Sequence, residues 1–327
     1  MTAVLMQAVP SADASRGVAR RRSHFVAFAI IAGLVIVAPF FVYPVFLMKV
    51  MCFALFALAF NLLLGYGGLL SFGHAAYFGM ASYMTAYAAK YWGLTPELSV
   101  LAGVFLAAAL GLAFGALAIR RQGIYFSMIT LALAQMVFFF CLQAVGFTGG
   151  EDGIQAVPRG NLFGLIPLAS DNALYVFVGV VFIVALAMMY RIIHSPFGQV
   201  LRAIRDNEPR AISLGYHASR YKLGVFVLSA TFAGLGGSVK ALVFQLASLT
   251  DVHWSMSGEA VLMALVGGMG TVFGPLLGAT VIVTMQNYLA SFGAWVTVIQ
   301  GVVFVLCVLL FREGILGLVA RKTRSQL

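Results

Sequence analysis

HSPFGQVLRAIRDNEPRAISLGY, residues 194–216, is a charged stretch in a chain that is otherwise strongly apolar. Ser195 is a preferred residue for capping the N-terminus of a helix, and Pro196 suits the first helical position. Pro209 favours the start of a second short helix, which Gly215 can end in a left-handed conformation. Four apolar residues recur at the helical spacing i, i+3, i+4 and i+7: Phe197, Val200, Leu201 and Ile204. The stretch therefore predicts two short helices, the first with an apolar stripe.

This polar stretch fits two functions, and its residues alone do not choose between them. An amphipathic helix with basic residues, here Arg202 and Arg205 beside Asp206, can lie on lipid headgroups. A structured basic loop on one side of a membrane can equally serve as a docking helix for a soluble partner protein.

The rest of the sequence is typical of a membrane protein. Hydrophobic residues make up 62% of the 327 residues and charged residues only 9%, with a mean hydropathy of +1.01, which excludes a water-soluble globular domain. A membrane span needs about 20 apolar residues, and most uncharged runs reach that length. They cover 25–48, 50–89, 98–119, 122–150, 172–190, 223–239 and 260–311. The fold class is therefore an all-α polytopic membrane protein.

These runs predict about eight full transmembrane helices and one broken re-entrant segment. The run 260–311 is too long for one helix and too short for three. Glycine and proline at 267–275 favour a segment that enters the membrane and returns, followed by a last full span. The predicted full spans are 25–47, 50–66, 74–89, 98–119, 123–145, 172–190, 222–247 and 294–312.

The basic residues indicate how the chain is oriented. Sixteen of the twenty lysines and arginines lie in four places that would share the cytoplasmic side, as the positive-inside rule requires. This placement explains the net charge of +10, which does not indicate nucleic-acid binding. The predicted organisation is a cytoplasmic tail (1–24), a transmembrane domain (25–313) with a cytoplasmic loop (191–222) and an external loop (146–171), and a cytoplasmic tail (314–327).

Two glycine-rich clusters, at 65–74 and 267–275, share a Gly-Gly pair followed by a hydroxyl residue and another glycine. Glycine-interrupted segments in corresponding halves of a transporter point to its translocation path. The pair is therefore also a hypothesis of an internal repeat.

The ordered motifs resemble the permease subunits of branched-chain amino acid ABC importers, and more closely the M-type than the H-type subunit. The resemblance covers about residues 50–317. It is carried by GYGGLLSFGHAA at 65–76, GIYF at 123–126 with LALAQ at 131–135, TGG at 148–150, the block 195–223, and the glycines of 267–275.

The resemblance implies the fold of an ABC importer permease and a place in a bacterial cytoplasmic (inner) membrane, with both termini cytoplasmic. The implied function is ATP-driven import of branched-chain amino acids; urea, amides or aromatic acids are alternative solutes. The implied partners are an H-type permease subunit, two cytoplasmic ATPases, a periplasmic or extracellular substrate-binding protein and the lipid bilayer.

The chain itself is expected to be a transport subunit and not an enzyme, with no cofactor. It has no Gly-x-x-x-x-Gly-Lys-[Ser/Thr] phosphate loop, so ATP would be hydrolysed by separate subunits. The resemblance makes the 195–216 loop the element that enters a cleft of the ATPase. The residues implied in this coupling are Phe197, Leu201, Arg202, Ile204, Arg205, Glu208, Ala211 and Gly215.

Polar and glycine residues within the spans are candidates for the translocation path. For most of them a structural interpretation stands beside the functional one: His74, Ser127 and Thr130 can hydrogen-bond a neighbouring helix. Glu259 is expected in a first helical turn, where the helix dipole favours a carboxylate. Lys240 is expected to snorkel outward. The path candidates are Gly67, Gly68, Ser71, His74, Tyr125, Thr130, Gln135, Glu259, Gly267, Gly268 and Thr271.

Three other interpretations are weaker. A proton-coupled secondary transporter would need ionisable relays deep in the spans, for which only His74 and Glu259 are available. An intramembrane enzyme would need catalytic or metal-binding motifs that the sequence lacks. Glu151 and Asp152 lack the spacing of an EF-hand calcium loop and fit better a surface that receives a binding protein. The three cysteines fall within predicted spans, so no metal site is expected.

Overall fold

The computed structural model describes residues 28–290 and, beyond them, only residues 293, 295, 298, 299, 301, 302, 305 and 314. The predicted cytoplasmic tails, 1–24 and 314–327 except residue 314, therefore lie outside the described residues, as does most of the last predicted span, 294–312.

The described chain is built from helices joined by short connections. The helix Pro44–Asn61 continues as a wider π-helical turn, Leu62–Tyr66. The helices are α1 (Phe28–Phe40), α2 (Pro44–Asn61), α3 (His74–Lys90), α4 (Pro96–Ala118), α5 (Ile124–Gln143), α6 (Val145–Thr148), α7 (Asp171–His194), α8 (Pro196–Asp206), α9 (Glu208–Ser213), α10 (Ala218–Phe244), α11 (Trp254–Gly267) and α12 (Gly274–Tyr288).

Five of the helices in the described part are long and apolar enough to cross a membrane, with 20 to 27 residues each. They are Pro44–Tyr66, Pro96–Ala118, Ile124–Gln143, Asp171–His194 and Ala218–Phe244. At about 1.5 Å of rise per residue, 20 residues cover the roughly 30 Å of a hydrocarbon core. An all-α polytopic membrane protein is thereby confirmed.

The predicted boundary between the first two spans is wrong. The sequence placed it at Lys49, the one charge between two apolar runs, but α1 ends at Phe40 and α2 begins at Pro44. Proline has no backbone N–H and suits the first turn of a helix, so Pro44 and not the charge decides where the chain restarts. Lys49 lies inside α2. The predicted spans that correspond to α3, α4, α5, α7 and α10 agree with the helices to within four residues at each end.

Helix α10 lies at the centre and packs against α2, α3 and α4. The glycine at position 237 allows its closest approach, because a Cβ there would overlap the carbonyl oxygen of Phe78 in α3. Gly111 and Gly115 of α4, four residues apart on one face, lie against Ala230 and Phe226 of α10. Such packing through small residues is the usual way that helices associate within a membrane.

Gly237→Ala is expected to lower the melting temperature of the detergent-solubilised protein, because the added methyl group must separate α10 from α3. Overpacking of this kind costs about 1–3 kcal/mol. Gly258→Ala in α11 is the matched control: a Cβ at Gly258 would meet no atom within 4 Å, and alanine favours helix over glycine. Equal melting temperatures for the two variants would contradict the close packing of α10 on α3.

The break predicted at 267–275 separates two short helices, α11 and α12, of 14 and 15 residues. Each spans only about 22 Å at 1.5 Å per residue, less than a full membrane crossing. A Cβ at Gly278 would overlap the carbonyl oxygen of Met263, and one at Gly267 that of Gly274, so the two helices run antiparallel in close contact. The antiparallel pair has the form that the predicted re-entrant segment requires, although it starts at Trp254 and not near residue 260; its return to the same side of the membrane stays a prediction.

Two short antiparallel ladders lie at the end of α10 that is remote from α8 and α9. Strands β1 (Ile154–Gln155) and β4 (Leu246–Ala247) join the predicted external loop to the chain that follows α10. Strands β2 (Asn161–Leu162) and β3 (Ile166–Pro167) form a hairpin within that loop.

Candidate functional site

The charged stretch forms the two predicted short helices, α8 and α9; we call residues 195–217 the polar arm. Ser195 caps α8 by accepting a hydrogen bond from the backbone N–H of Gly198. Asn207 caps α9 by accepting one from the N–H of Arg210, at 3.0 Å. Gly215 follows α9 with φ of +89°. The local structure predicted for the arm, including its left-handed glycine, is confirmed.

The apolar stripe of α8 packs against the protein itself. Leu201 and Ile204 are buried, and the Phe197 ring stacks on Tyr221 of α10 with centroids 5.6 Å apart. Ala211 of α9 is also buried, in a small cluster with Ile204. These residues hold the arm onto α10, so the stripe does not face lipid as an interfacial helix would require.

The outward surface of the arm carries apolar residues that the periodicity did not indicate. Ile212, Leu214 and Tyr216 are 54%, 71% and 41% exposed, between the exposed Arg210 and Arg220. An exposed apolar patch with a polar rim is typical of a protein interaction site. We call Ile212, Leu214 and Tyr216 the arm tip.

Glu208 fixes α9 to its neighbours. Its carboxylate accepts hydrogen bonds from the Lys222 ammonium at 2.7 Å and from the Gln122 amide at 3.2 Å. Lys222 belongs to α10, and Gln122 to the connection between α4 and α5. The side chain of Glu208 is thus engaged within the protein.

The two arginines of α8 point to the end of α2. Arg205 donates to the carbonyl oxygen of Gly65 and is also paired with Asp206 at 2.9 Å. Arg202 lies over the Tyr66 ring, 5.4 Å from its centroid, and donates to the Ile193 carbonyl at 2.8 Å. The first glycine cluster and the polar arm are therefore in direct contact.

The two glycine clusters, which are some 200 residues apart in sequence, meet at this place. Asn61 donates to the Thr271 carbonyl at 2.8 Å and accepts from the Gly270 N–H at 2.9 Å. A Cβ at Gly65 would lie 2.7 Å from the Gly270 nitrogen, so only glycine permits this approach. We call Asn61, Gly65, Gly270 and Thr271 the glycine crossing. The internal repeat itself stays a prediction.

The irregular backbone between α2 and α3 is satisfied by side chains of α5. Ser127 donates to the Leu70 carbonyl at 2.7 Å, and the Phe72 N–H donates to the Thr130 hydroxyl at 3.2 Å. The Gly73 N–H donates to the hydroxyl of the buried Ser71. Open backbone at membrane depth requires such partners, which gives Ser71, Ser127 and Thr130 a structural role.

His74 is buried at the start of α3, where its Nε2 lies 2.7 Å from the Ser229 hydroxyl of α10. The Ser229 hydroxyl donates its proton to the Ala59 carbonyl, which can only accept. A His74 ring protonated at Nε2 fits this arrangement, since it can donate to the Ser229 oxygen. This contact joins α3, α10 and α2, as the structural interpretation of His74 expects.

Glu259 lies in the second turn of α11, so its expected place in a first turn is wrong. The helix begins five residues earlier, at Trp254, because His253 caps it by accepting from the Ser255 N–H. The half-buried Glu259 instead accepts a hydrogen bond from Gln286 of α12 at 2.9 Å.

The remaining path candidates are spread over the molecule. Tyr125 is 72% exposed and Gln135 half-buried, and both belong to α5. Gly67 is buried, whereas Gly68 is exposed beside the side chain of Arg205. Gly267 and Gly268 are buried at the end of α11, and Thr271 accepts from the Gly274 N–H at 3.0 Å.

Lys240 does not snorkel outward, contrary to expectation. Its ammonium forms an ion pair with Asp251 at 2.5 Å, and the two side chains are only 12% and 4% exposed. Asp251 lies in the turn after β4 that folds back over α10. No local pattern predicted that this acidic residue would reach the lysine.

Lys240→Met is expected to destabilise the protein by about 3–5 kcal/mol, because it leaves the Asp251 carboxylate buried and unpaired. The melting temperature in detergent should fall and should recover in large part in the double variant Lys240→Met/Asp251→Leu. Asp171→Asn, in the more exposed Arg159–Asp171 pair, is the comparison and should cost less than about 1 kcal/mol. A double variant no more stable than Lys240→Met would contradict the pairing.

These features define a class of protein before any relative is considered. The chain is a multi-span helical membrane protein with a structured basic arm at one end and a glycine crossing beneath it. The glycine crossing brings together two interruptions of apolar helices, a feature found in proteins that move a solute across a membrane.

Comparison with known proteins places the chain within that class. Residues 42–308 match the family model for the permease component of branched-chain amino acid transport systems, and the chain belongs to this family of transport permease subunits. It is 26% identical over 299 residues to the high-affinity branched-chain amino acid transport system permease protein LivM of Escherichia coli K12, covering 85% of this chain and 69% of the relative. No solved structure matches the chain.

More distant relatives show how broad the family is. A probable branched-chain amino acid permease LivM of Methanocaldococcus jannaschii is 27% identical over 189 residues, or 55% of this chain and 53% of the relative. The ribose import permease RbsC of Escherichia coli K12 is 26% identical over 237 residues, or 68% and 72%.

Proposed function

We propose that the chain is the M-type permease subunit of an ATP-driven importer for branched-chain amino acids. One observation carries the proposal: the polar arm is a rigid element, attached at one side to the glycine crossing and presenting apolar side chains at the other. The similarity to the branched-chain amino acid permeases supports the solute.

The proposed partners are those that membership of this permease family implies. The sequence contains no phosphate loop, which supports ATP hydrolysis by separate subunits. An H-type permease completes the translocation path, two cytoplasmic ATPases bind the permease pair, and a binding protein delivers the solute. The arm and both termini lie in the cytoplasm, and the membrane is a bacterial cytoplasmic (inner) membrane. The arm tip, and not the buried stripe of α8, is the part that enters the ATPase.

In the proposed mechanism, closure of the ATPases displaces the arm, and Arg205 transmits the displacement to Gly65. Gly65 touches Gly270, so α2 and the α11–α12 pair would shift together and change access to the path. Such a change needs only that ATP-bound ATPases bind one of two states of the permease better than the other. Among the predicted path residues, we propose that Gly68, Glu259 and Thr271 line the path, because none of them is fully buried. Thr271 belongs to the crossing, Gly68 lies beside Arg205, which contacts the crossing, and Glu259 lies on α11.

The proposal is tested by uptake of radiolabelled leucine into proteoliposomes that contain the complete transporter and its binding protein. Uptake should require hydrolysable ATP on the side of the ATPases and should be unaffected when a proton gradient is collapsed. Uptake driven by a proton gradient in the absence of ATP would show a secondary transporter instead.

A further inference from the structure

The β2–β3 hairpin, residues 160–168, ends in an apolar tip that no packing in the described part of the chain explains. Phe163, Leu165 and Ile166 are 73%, 84% and 54% exposed. No charged residue occurs from 160 to 170. Three bulky apolar side chains at the end of a loop are unfavourable in water, at roughly 25 cal/mol per Å² of exposed apolar surface.

The hairpin is held rigidly at its base. Arg159 pairs with Asp171 at 2.7 Å and donates to the Val243 carbonyl at 3.2 Å, which attaches the base to α7 and α10. The Leu168 N–H donates to the Gly160 carbonyl at 3.1 Å, and Leu168 itself is buried. The exposed tip is thus presented by a fixed support.

Contacts with α4 fix the position of the tip along the axis of this helix. The Phe163 N–H donates to the Glu97 carboxylate at 3.1 Å, and Glu97 is in the first turn of α4. One and two turns further along the same face of this spanning helix, Leu101 and Phe105 are 62% and 77% exposed. The tip therefore lies directly above a strip of apolar helix surface that faces outward from the protein.

Exposed aromatic residues lie near the same end of α4 as the hairpin tip. Tyr91 and Trp92, in the turn between α3 and α4, are 59% and 56% exposed. Tyrosine and tryptophan are enriched where a membrane protein crosses the headgroup region of the bilayer. The hairpin approaches this turn, since a Cβ at Gly160 would lie 3.2 Å from the Pro96 ring.

We propose that the tip of the β2–β3 hairpin inserts into the lipid leaflet at the end of α10 remote from the polar arm. The occupant is lipid and not a soluble protein, because the tip is uncharged and continues the apolar strip of α4 at the level of the interfacial aromatics. Apolar side chains that reach the headgroup and acyl boundary anchor interfacial segments in the same way. The inference does not depend on the solute or on ATP coupling.

The test places a nitrobenzoxadiazole fluorophore on Phe163→Cys in the assembled transporter, after replacement of Cys52, Cys141 and Cys307 by alanine. Glu151→Cys is the matched control, since it lies in the same loop and is exposed next to Asp152. The protein is reconstituted with phospholipids brominated on the acyl chain or with unbrominated lipids, and iodide serves as the aqueous quencher.

The label at position 163 is expected to be quenched several-fold more strongly by brominated lipid than the label at 151, and several-fold less by iodide. Iodide quenching equal to that at 151 would overturn the proposal and make the tip a surface for an aqueous partner. Resistance to both quenchers would overturn it as well, by showing that protein covers the tip. If the cysteine-free protein does not assemble, Phe163→Trp and Glu151→Trp are compared by the same quenching, each against the unchanged protein.

Discussion

Arg205→Ala is expected to reduce ATP-driven uptake by about tenfold or more while the permease still binds its ATPases. The guanidinium joins the polar arm to Gly65 through a charge-assisted hydrogen bond, and loss of such a bond costs about 1.5–3 kcal/mol. Each 1.4 kcal/mol corresponds to about a factor of ten, so the coupling between the arm and the glycine crossing would weaken by at least that factor. The variant should therefore hydrolyse ATP without matching solute uptake.

The measurement is the ratio of solute transported to ATP hydrolysed. Two further variants serve as an intermediate case and as a control. Arg205→Lys keeps the charge but not the planar fork that also holds Asp206, so an intermediate ratio is expected. Arg191→Ala removes an exposed arginine at the end of α7 and should leave the ratio unchanged. An unchanged ratio in Arg205→Ala would remove this residue from the coupling path.

A second large effect is expected at the arm tip. The double variant Ile212→Asp/Leu214→Asp should weaken binding of the ATPases by at least about 30-fold, since an anchor residue at an interface contributes roughly 2 kcal/mol or more. The permease should fold normally, because both side chains are more than half exposed. Affinity is measured by titrating purified ATPase onto the permease pair in lipid nanodiscs.

The control for added charge is Gln199→Asp, at an exposed polar position of α8. It should bind the ATPases with nearly the affinity of the unchanged protein. If the double variant also bound normally, the contact with the ATPases would have to lie elsewhere on the protein.

Local patterns in the sequence were sufficient to predict most helices and the form of the arm. Ser195, Pro196 and Pro209 act on adjacent residues, so their effects are readable from the chain itself. The boundary at Lys49 failed because charge was used as the signal where Pro44 determined the break. The terminal tails and the last span remain predictions.

Long-range contacts were not predictable from one sequence. Asn61 joins two glycine clusters and Asp251 pairs with Lys240, yet both are single polar residues whose partners lie far along the chain or across an irregular turn. The glycine clusters were identified, but periodicity does not reveal that Gly65 and Gly270 touch. The stripe of α8 was identified correctly, and its partner proved to be α10 of the same chain.

The central claim, that the polar arm is the cytoplasmic contact with the ATPases, is tested most directly at Ser213, which is exposed at the end of α9. A cysteine at this position, in a chain without its other cysteines, is treated with a membrane-impermeant maleimide in vesicles of known orientation. We expect labelling only in inside-out vesicles and strong protection when the ATPases are bound. Labelling in right-side-out vesicles would contradict the proposed orientation, and labelling unaffected by bound ATPases would contradict the contact.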